Sequence, residues 1–168
     1  MSTVRPAAVA GAFYPGEPHA LAAQLGELLA PTPGAPAGVP KAVIVPHAGY
    51  VYSGAVAARA YEALAAARDS VTRVVLLGPV HRVPVRGLAL PGADAFATPL
   101  GTIPVDTAVA RMLAGLPQMV TSPAAHALEH SLEVQLPFLQ QVLGSFTLLP
   151  LAVGDASVAE VAEVIERL

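Results

Sequence analysis

Short aliphatic runs alternate along the chain with longer segments whose apolar residues recur every three or four positions. Three of the runs, at residues 41–45, 74–77 and 146–153, each end at a Pro or Gly turn signal. Continuous aliphatic runs of this length are typical of strands in a parallel sheet that is covered on both faces. A shorter run at 118–121 predicts a further strand. The pattern therefore predicts buried strands separated by helices.

The segments between these runs have helical periodicity. Helices are predicted at 18–29, from Ser53 to Arg68, from Asp106 onward, at 129–143, and after a cap at Asp155 or Ser157. Pro137 predicts a kink or a late start in the fourth helix. The buried stripe of the last helix is predicted to consist of Val158, Val161, Val164 and Ile165.

Pro and Gly interrupt the stretch between the second strand and the third helix. Residues 87–91 and the stretch around Phe96 therefore predict a small hairpin or an excursion of the chain over the site. The order of strands and helices along the whole chain predicts a three-layer α/β sandwich with a mostly parallel central sheet.

Composition indicates one domain with a large core. Hydrophobic residues make up 54% of the 168 residues and charged residues 12%, and the mean hydropathy is +0.59. The Pro/Gly/Ala connector at 31–40 is too short to separate two domains, so we expect one domain over 1–168. No strand follows the last predicted helix, and we expect this domain to be incomplete at its C-terminus. An uncovered sheet edge would favour homo-oligomer formation.

Charge and cysteine content exclude several classes of function. The net charge is −3 and Lys and Arg are not clustered, so we expect no nucleic-acid partner and no anionic membrane partner. The sequence contains no apolar run of membrane-spanning length and no secretory signal pattern. It also contains no cysteine, which excludes disulfides and thiol nucleophiles in these residues and fits a cytoplasmic location.

Two histidines follow predicted strands. His47 comes just after the run at 41–45, and His81 just after the run at 74–77. Their separation of 34 positions is about the length of one strand–helix–strand unit. In sheets of this kind the ligand crevice lies beyond the carboxyl ends of the strands, and paired strands are about 4.8 Å apart. The two imidazoles could therefore share one ion or one substrate; the alternative is two loop histidines with no joint role.

A third group of histidines and carboxylates lies at 126–133. On a helix, His126 and His130 would be four residues apart on one face. The order of residues differs from the zinc-protease pattern, which excludes that class. We expect His130 to belong to the site and His126 to be solvated, with Glu129 placed favourably at a helix N-terminus. Neither Glu129 nor Glu133 is predicted to be a metal ligand.

Two tyrosines follow His47. Tyr50 and Tyr52 could contact a ligand, or they could pack in the core. Ser53 is expected to cap a helix, because it lacks the sequence context of a nucleophile elbow. Arg82 could pair with an anionic substrate or lie at the surface, and His19 is expected at the surface. The sequence has no phosphate-binding glycine motif.

Several blocks of sequence resemble one known family. The blocks are Arg5-Pro6-Ala7, Val9-Ala10-Gly11-Ala12-Phe13-Tyr14-Pro15, Pro46-His47-Ala48-Gly49-Tyr50 with Tyr52-Ser53-Gly54, Gly78-Pro79-Val80-His81-Arg82 and the run from Glu129 to Phe138. In order and spacing they resemble the Memo family, also named AmmeMemoRadiSam system protein B in prokaryotes. The resemblance covers nearly the whole chain.

The resemblance implies a fold and a site. Memo proteins look like class III extradiol dioxygenases, α/β sandwiches that use non-haem Fe(II) to open catechol rings. The resemblance implies that His47 and His81 are metal-ligand positions. It also implies that His130 is a pocket residue beside the metal, suited to proton transfer or to holding an oxygen species. We predict His130 and Tyr50 as the catalytic residues of this site, with Tyr50 lining the pocket. Family members are longer, and their third metal-site residue is typically a C-terminal cysteine, which this chain lacks.

These implications lead to two functional hypotheses. The first is metal-dependent oxidation or redox chemistry of a dioxygenase-like kind, with iron or copper, or else zinc, acting on a small-molecule ligand. The second is a non-enzymatic binding or signalling module that uses the same cleft for a peptide or protein. A third reading is a vestigial domain whose histidines only pack.

Overall fold

A computed structural model describes residues 3–31 and 38–168. Its strands are β1 (Val4–Arg5), β2 (Arg73–Pro79), β3 (Leu88–Leu90), β4 (Ala95–Thr98), β5 (Gly101–Pro104), β6 (Met119–Thr121) and β7 (Thr147–Val153). Its helices are α1 (Pro18–Leu28), α2 (Tyr50–Glu62), α3 (Thr107–Leu113), α4 (Pro123–Ala127), α5 (Leu136–Val142) and α6 (Val158–Glu166). Short 3₁₀ turns occupy Ala65–Ala67 and Glu133–Gln135.

The larger sheet is mostly parallel and has β7 near its centre. Its strand order is β2-β7-β3-β6. β7 is parallel to β2 over seven residue pairs and antiparallel to β3, which is parallel to β6. A smaller sheet has the order β1-β4-β5, in which β4 and β5 form an antiparallel hairpin. This architecture confirms the predicted α/β class.

Side chains of β7 alternate between two hydrophobic clusters. Leu148 packs in one cluster with residues of α1, α2 and α5. Leu149 and Leu151 face the other way and pack with residues of α3 and α6. All three leucines are fully buried. Helices therefore cover both faces of the sheet, which gives the expected three layers.

Most of the predicted helices are confirmed, with shifts at their ends. α1 and α3 form as predicted, and Asp106 caps α3 by accepting the N–H of Val109. α5 begins late, with Pro137 in its first turn, where a missing N–H costs nothing. Ser157 caps α6 through a reciprocal capping box with Glu160.

Three helix details were predicted wrongly. α2 begins at Tyr50, before Ser53, whose hydroxyl instead donates to the carbonyl of Ala48. In α6, Val164 is buried, but Val158 and Ile165 are exposed. The predicted stripe was too wide because, of its four residues, only Val161 and Val164 pack in the cluster beneath α6.

The hairpin predicted at 87–91 and around Phe96 is confirmed in part, because Phe96 lies in the hairpin of β4 and β5 and residues 87–91 do not. Residues 88–90 form β3, which joins the large sheet beside β7. The hairpin lies later in the chain, where β4 and β5 pair around Gly101 at a φ of 121°. That φ favours glycine, which explains why the chain reverses there.

The largest correction concerns residues 41–45, which do not form a strand. Within the described residues, no sheet pairing includes them, and β2 is an edge of the large sheet. Ile44 is 100% exposed, whereas Val45 packs partly against the core. An aliphatic run becomes a strand only when it pairs with a neighbour, and here no such pairing forms. Most of the predicted connector, 32–37, lies outside the described residues.

A buried ion pair anchors the start of the chain to the segment before α5. The guanidinium of Arg5 donates to the carboxylate of Glu133, and Glu133 is fully buried. Glu133 also accepts the N–H groups of Ala8 and Val9 and the hydroxyl of Tyr14. This carboxylate therefore fixes residues 5–14 against the body of the domain.

Among the described residues, no helix combines the length and the apolar character that a membrane crossing requires.

We expect Ile44→Ala and Leu151→Ala to differ strongly in their effect on the free energy of unfolding. Ile44 is wholly exposed, so its truncation should change stability by less than about 0.5 kcal/mol. Leu151 is fully buried in β7, and its truncation should cost about 2–5 kcal/mol. Chemical denaturation of both variants measures this. A loss above about 1.5 kcal/mol for Ile44→Ala would show that residues 41–45 are packed as a strand in solution.

We expect Glu133→Gln to lower the free energy of unfolding by about 3–5 kcal/mol, because it leaves the buried Arg5 charge unpaired. The exposed Glu27→Gln in α1 is the matched control and should be within about 0.5 kcal/mol of the parent. Equal denaturation midpoints for the two variants would contradict this account of the ion pair.

Candidate metal centre

Three imidazoles converge at one end of the large sheet. The ring centroids are 5.3 Å apart for His47 and His81, 4.4 Å for His81 and His130, and 5.8 Å for His47 and His130. One ring nitrogen from each lies within 4.8 Å of the other two. The structure thus brings together His47, His81 and His130, the three histidines expected at the site, although the strand predicted before His47 does not form.

Different elements position the three rings. His47 precedes α2, whose first N–H, at Tyr50, donates to the carbonyl of Phe13 at 2.7 Å. The carbonyl of Pro46 accepts the side-chain amide of Gln135 at 3.0 Å. His81 follows β2, where the hydroxyl of Ser131 donates to the carbonyl of Pro79 at 2.8 Å.

His130 lies in the segment between α4 and the 3₁₀ turn, and its ring is partly covered. The ring of Phe13 packs against it with centroids 4.8 Å apart. Burial lowers the pKa of His130. The negative charge of Glu129 opposes this shift, whereas repulsion from His81, His47 and Arg82 lowers the pKa further. His130 is therefore neutral at pH 7 and offers a nitrogen lone pair.

Glu129 is a buried carboxylate that contacts two of these histidines. Glu129 is 2% exposed. Its carboxylate accepts the main-chain N–H of His81 at 2.6 Å and lies 2.9 Å from Nδ1 of the His81 ring. It also accepts the N–H groups of His130 and Ser131, both at 2.9 Å. Burial alone would raise the pKa of Glu129, but these hydrogen bonds outweigh it and lower the pKa to about 2.

The expectations for Glu129 and His126 were therefore wrong. α4 ends at Ala127, so Glu129 does not lie at a helix N-terminus and His126 does not pair with His130 on one face. His126 is 1% exposed instead of solvated, and its Nε2 lies 2.9 Å from the carbonyl of Ala89. Burial lowers the pKa of His126, which favours the neutral ring.

A cleft of about 580 Å³ opens beside the imidazoles. Its lining is apolar apart from two of the histidines and one tyrosine, and consists of Ala12, Phe13, Pro46, His47, Ala48, Gly49, Val51, Tyr52 and His130. This lining contains no carboxylate, Lys or Arg among the described residues. The cleft therefore suits an uncharged, apolar ligand with one end at the imidazoles.

The two tyrosines after His47 have different surroundings. Tyr52 lines the cleft and is 85% exposed. Tyr50 is buried, donates its hydroxyl to the carbonyl of Val134 at 2.8 Å, and packs on Phe138. The predicted catalytic role of Tyr50 stays a prediction. Arg82 and His19 are both exposed. This agrees with the surface interpretation of Arg82 and confirms the expectation for His19.

The donor set fits a transition-metal ion. Imidazole nitrogens suit zinc, copper, iron and nickel. Ligand nitrogens around a tetrahedral zinc ion lie about 3.4 Å apart, because the metal–nitrogen bonds are about 2.0–2.1 Å. The nitrogens here are within 4.8 Å of one another, so small side-chain rotations would bring them into range. Both oxygens of Glu129 already accept hydrogen bonds, which leaves the imidazoles as the donors.

Phe13 and the hydrogen bonding of Glu129 were not predicted. Both depend on contacts between distant parts of the chain, since Phe13 meets His130 and Glu129 meets His81. The one signal in the sequence was the position of both residues inside the blocks that carry the family resemblance.

Comparison with known proteins gives consistent matches. The family model described as Memo-like protein matches residues 5–168. MEMO1 family proteins of Archaeoglobus fulgidus and Aquifex aeolicus are 40% and 39% identical over 92% and 89% of this chain. A MEMO1 family protein of Ignicoccus hospitalis is 40% identical over 88% of it.

The matched region is only part of each relative. The alignments cover 57%, 55% and 55% of the three proteins, so the chain spans a little over half of their length. The family model nevertheless matches almost every residue of this chain, including the three clustered histidines. The chain therefore belongs to the Memo-like protein family.

Proposed function

We propose that His47, His81 and His130 hold a divalent iron or copper ion, and that the centre carries out oxidation of a small molecule bound in the adjacent cleft. The observation that carries the proposal is the convergence of three imidazole nitrogens within 4.8 Å of one another. Neutral imidazole is the protonation state that binds metal, and His130 is held in that state by burial.

The residues around the centre have separate roles in this proposal. A bound iron or copper ion would supply the redox capacity that protein side chains lack. Phe13 covers one side of His130 and keeps water from that ring. The apolar cleft wall at Val51 and Tyr52 holds the ligand beside the imidazoles.

A second candidate is a binding module without turnover. Val51 and Tyr52 are large side chains of the first turn of α2, and both are more than 80% exposed. Exposed apolar and aromatic side chains at the rim of a cleft are typical of surfaces that bind peptides or proteins. The same cleft would then recognise such a ligand with no chemical change.

We expect the metal-free chain to bind one Fe(II) or Cu(II) ion in an anaerobic titration, followed by calorimetry. His47→Ala, His81→Ala and His130→Ala should each weaken binding at least about 10-fold, because each removes one of three donors. His19→Ala, which alters an exposed histidine of α1, is the control and should bind as the parent does.

Binding that none of the three substitutions weakens would overturn the proposed centre. A loss in His47→Ala and His81→Ala with unchanged affinity in His130→Ala would instead assign His130 to proton transfer, the role that the family resemblance implies.

We expect the Fe(II)-loaded chain to consume oxygen with catechol as the probe substrate, and chelation of the metal to abolish this uptake. An oxygen electrode measures the rate, with the His81→Ala variant at equal iron as the background. Metal binding without any oxygen uptake above that background would contradict the oxidation proposal and favour the binding module.

A further inference from the structure

We propose that Glu129 is the positioning residue of this centre: its single buried carboxylate fixes the ring orientation and tautomer of His81 and the main-chain position of His130. The inference rests on the proposed function only in treating the imidazoles as metal donors. The contacts of Glu129 with the two histidines are independent of it.

Glu129 holds both the main chain and the ring of His81. One oxygen of Glu129 accepts the main-chain N–H at 2.6 Å, and the other faces Nδ1 of the ring at 2.9 Å. An ionised carboxylate only accepts hydrogen bonds, so Nδ1 carries the proton and donates it. Nε2 is then the nitrogen left with a lone pair, and it is the nitrogen available to a metal.

The ring of His81 would be mobile without these hydrogen bonds. Its side chain is 38% exposed and follows a strand end, where an unrestrained imidazole would sample several rotamers and both tautomers. Because both the backbone and the ring of His81 bind the same carboxylate, neither can turn without losing a charge-assisted hydrogen bond.

Glu129 also holds the main chain of His130. The oxygen that faces the His81 ring also accepts the N–H groups of His130 and Ser131. The turn at 129–131 is therefore built around the side chain of its own first residue. Nδ1 of His130 lies 3.4 Å from this oxygen, beyond a good hydrogen bond, so the carboxylate sets the backbone of His130 and Phe13 packs its ring.

Glu129 is itself held in place by hydrogen bonds to distant parts of the chain. Its carbonyl accepts Nη2 of Arg5 at 2.8 Å. Two residues further along the chain, the hydroxyl of Ser131 donates to the carbonyl of Pro79 at the end of β2. The carboxylate is thus fixed relative to the strand that leads to His81.

The hydrogen bonds also decide between positioning and ligation. Four N–H groups surround two oxygens that together have about four acceptor sites. Three of these groups bond to Oε1 and the main-chain N–H of His81 bonds to Oε2, and the donor cluster found among the described residues consists of the three imidazoles without Glu129. The carboxylate is therefore a support for the donors and not a fourth donor.

The test is Glu129→Gln, with two readouts. Glutamine has one acceptor oxygen, and its NH₂ group would face an N–H donor in either amide orientation. We expect Fe(II) and Zn(II) affinity to fall about 10- to 100-fold. We also expect long-range ¹H–¹⁵N spectra of the metal-free variant to show a mixture of His81 ring tautomers.

Thr98→Val is the matched control, because it removes the hydrogen bond from a buried hydroxyl of β4 to Gln140 without touching Glu129 or an imidazole. It should keep both the parent affinity and the parent tautomer while losing some stability. Equal losses of affinity in Glu129→Gln and Thr98→Val would reduce Glu129 to a general structural role and overturn the proposal.

The parent chain gives a test that needs no variant. In its metal-free spectrum above neutral pH, the His81 ring should be the single tautomer with the proton on Nδ1. A mixed tautomer, or the proton on Nε2, would overturn the proposal even if Glu129→Gln does not fold. This spectrum is independent of whether the centre binds metal, so it separates failure of the positioning role from failure of the proposed function.

Discussion

The buried contact between Arg5 and Glu133 is the interaction on which the site depends. Arg5 donates not only to Glu133 but also to the main-chain carbonyls of His126 and Glu129. One guanidinium thus ties β1 to the whole segment that leads from α4 to α5. A buried ion pair adds little net stability when it is compared with apolar packing. Its value here is positional, because it gives residues 126–133 one arrangement.

The same contact places the wall of the cleft. Glu133 accepts the N–H groups of Ala8 and Val9 and the hydroxyl of Tyr14, which holds the loop before α1 in one conformation. Phe13 belongs to that loop, and its carbonyl receives the first N–H of α2. The position of His47, a few residues before that helix, is therefore linked through Phe13 to the same buried carboxylate.

Local pattern was enough to predict most of the helices, the strands β2, β6 and β7, and the position of His81. His47 lies beside His81 although the strand at 41–45, from which its position was inferred, does not form. The run at 146–153 became β7 because it is long, aliphatic and flanked by paired neighbours on both sides. The equally aliphatic run at 41–45 failed because strand formation requires a hydrogen-bonded partner, and the pattern of one segment carries no information about its partner. His81 lies where expected, since the end of β2 was predicted correctly. His126 was misplaced because it lies in α4, a short helix that was not predicted, and its ring packs against the main chain of β3.

The partial exposure of His81 has a consequence for the kinetics of the proposed centre. An ion bound there would have one donor in contact with solvent, while the supporting carboxylates stay buried beneath it. Exchange of the ion would then require its bonds to the imidazoles to break and the exposed side chain to move, but no opening of the fold. Occupancy would follow the free metal concentration around the protein instead of being fixed when the chain folds. Such a centre would be loaded or emptied by its surroundings within the lifetime of one molecule.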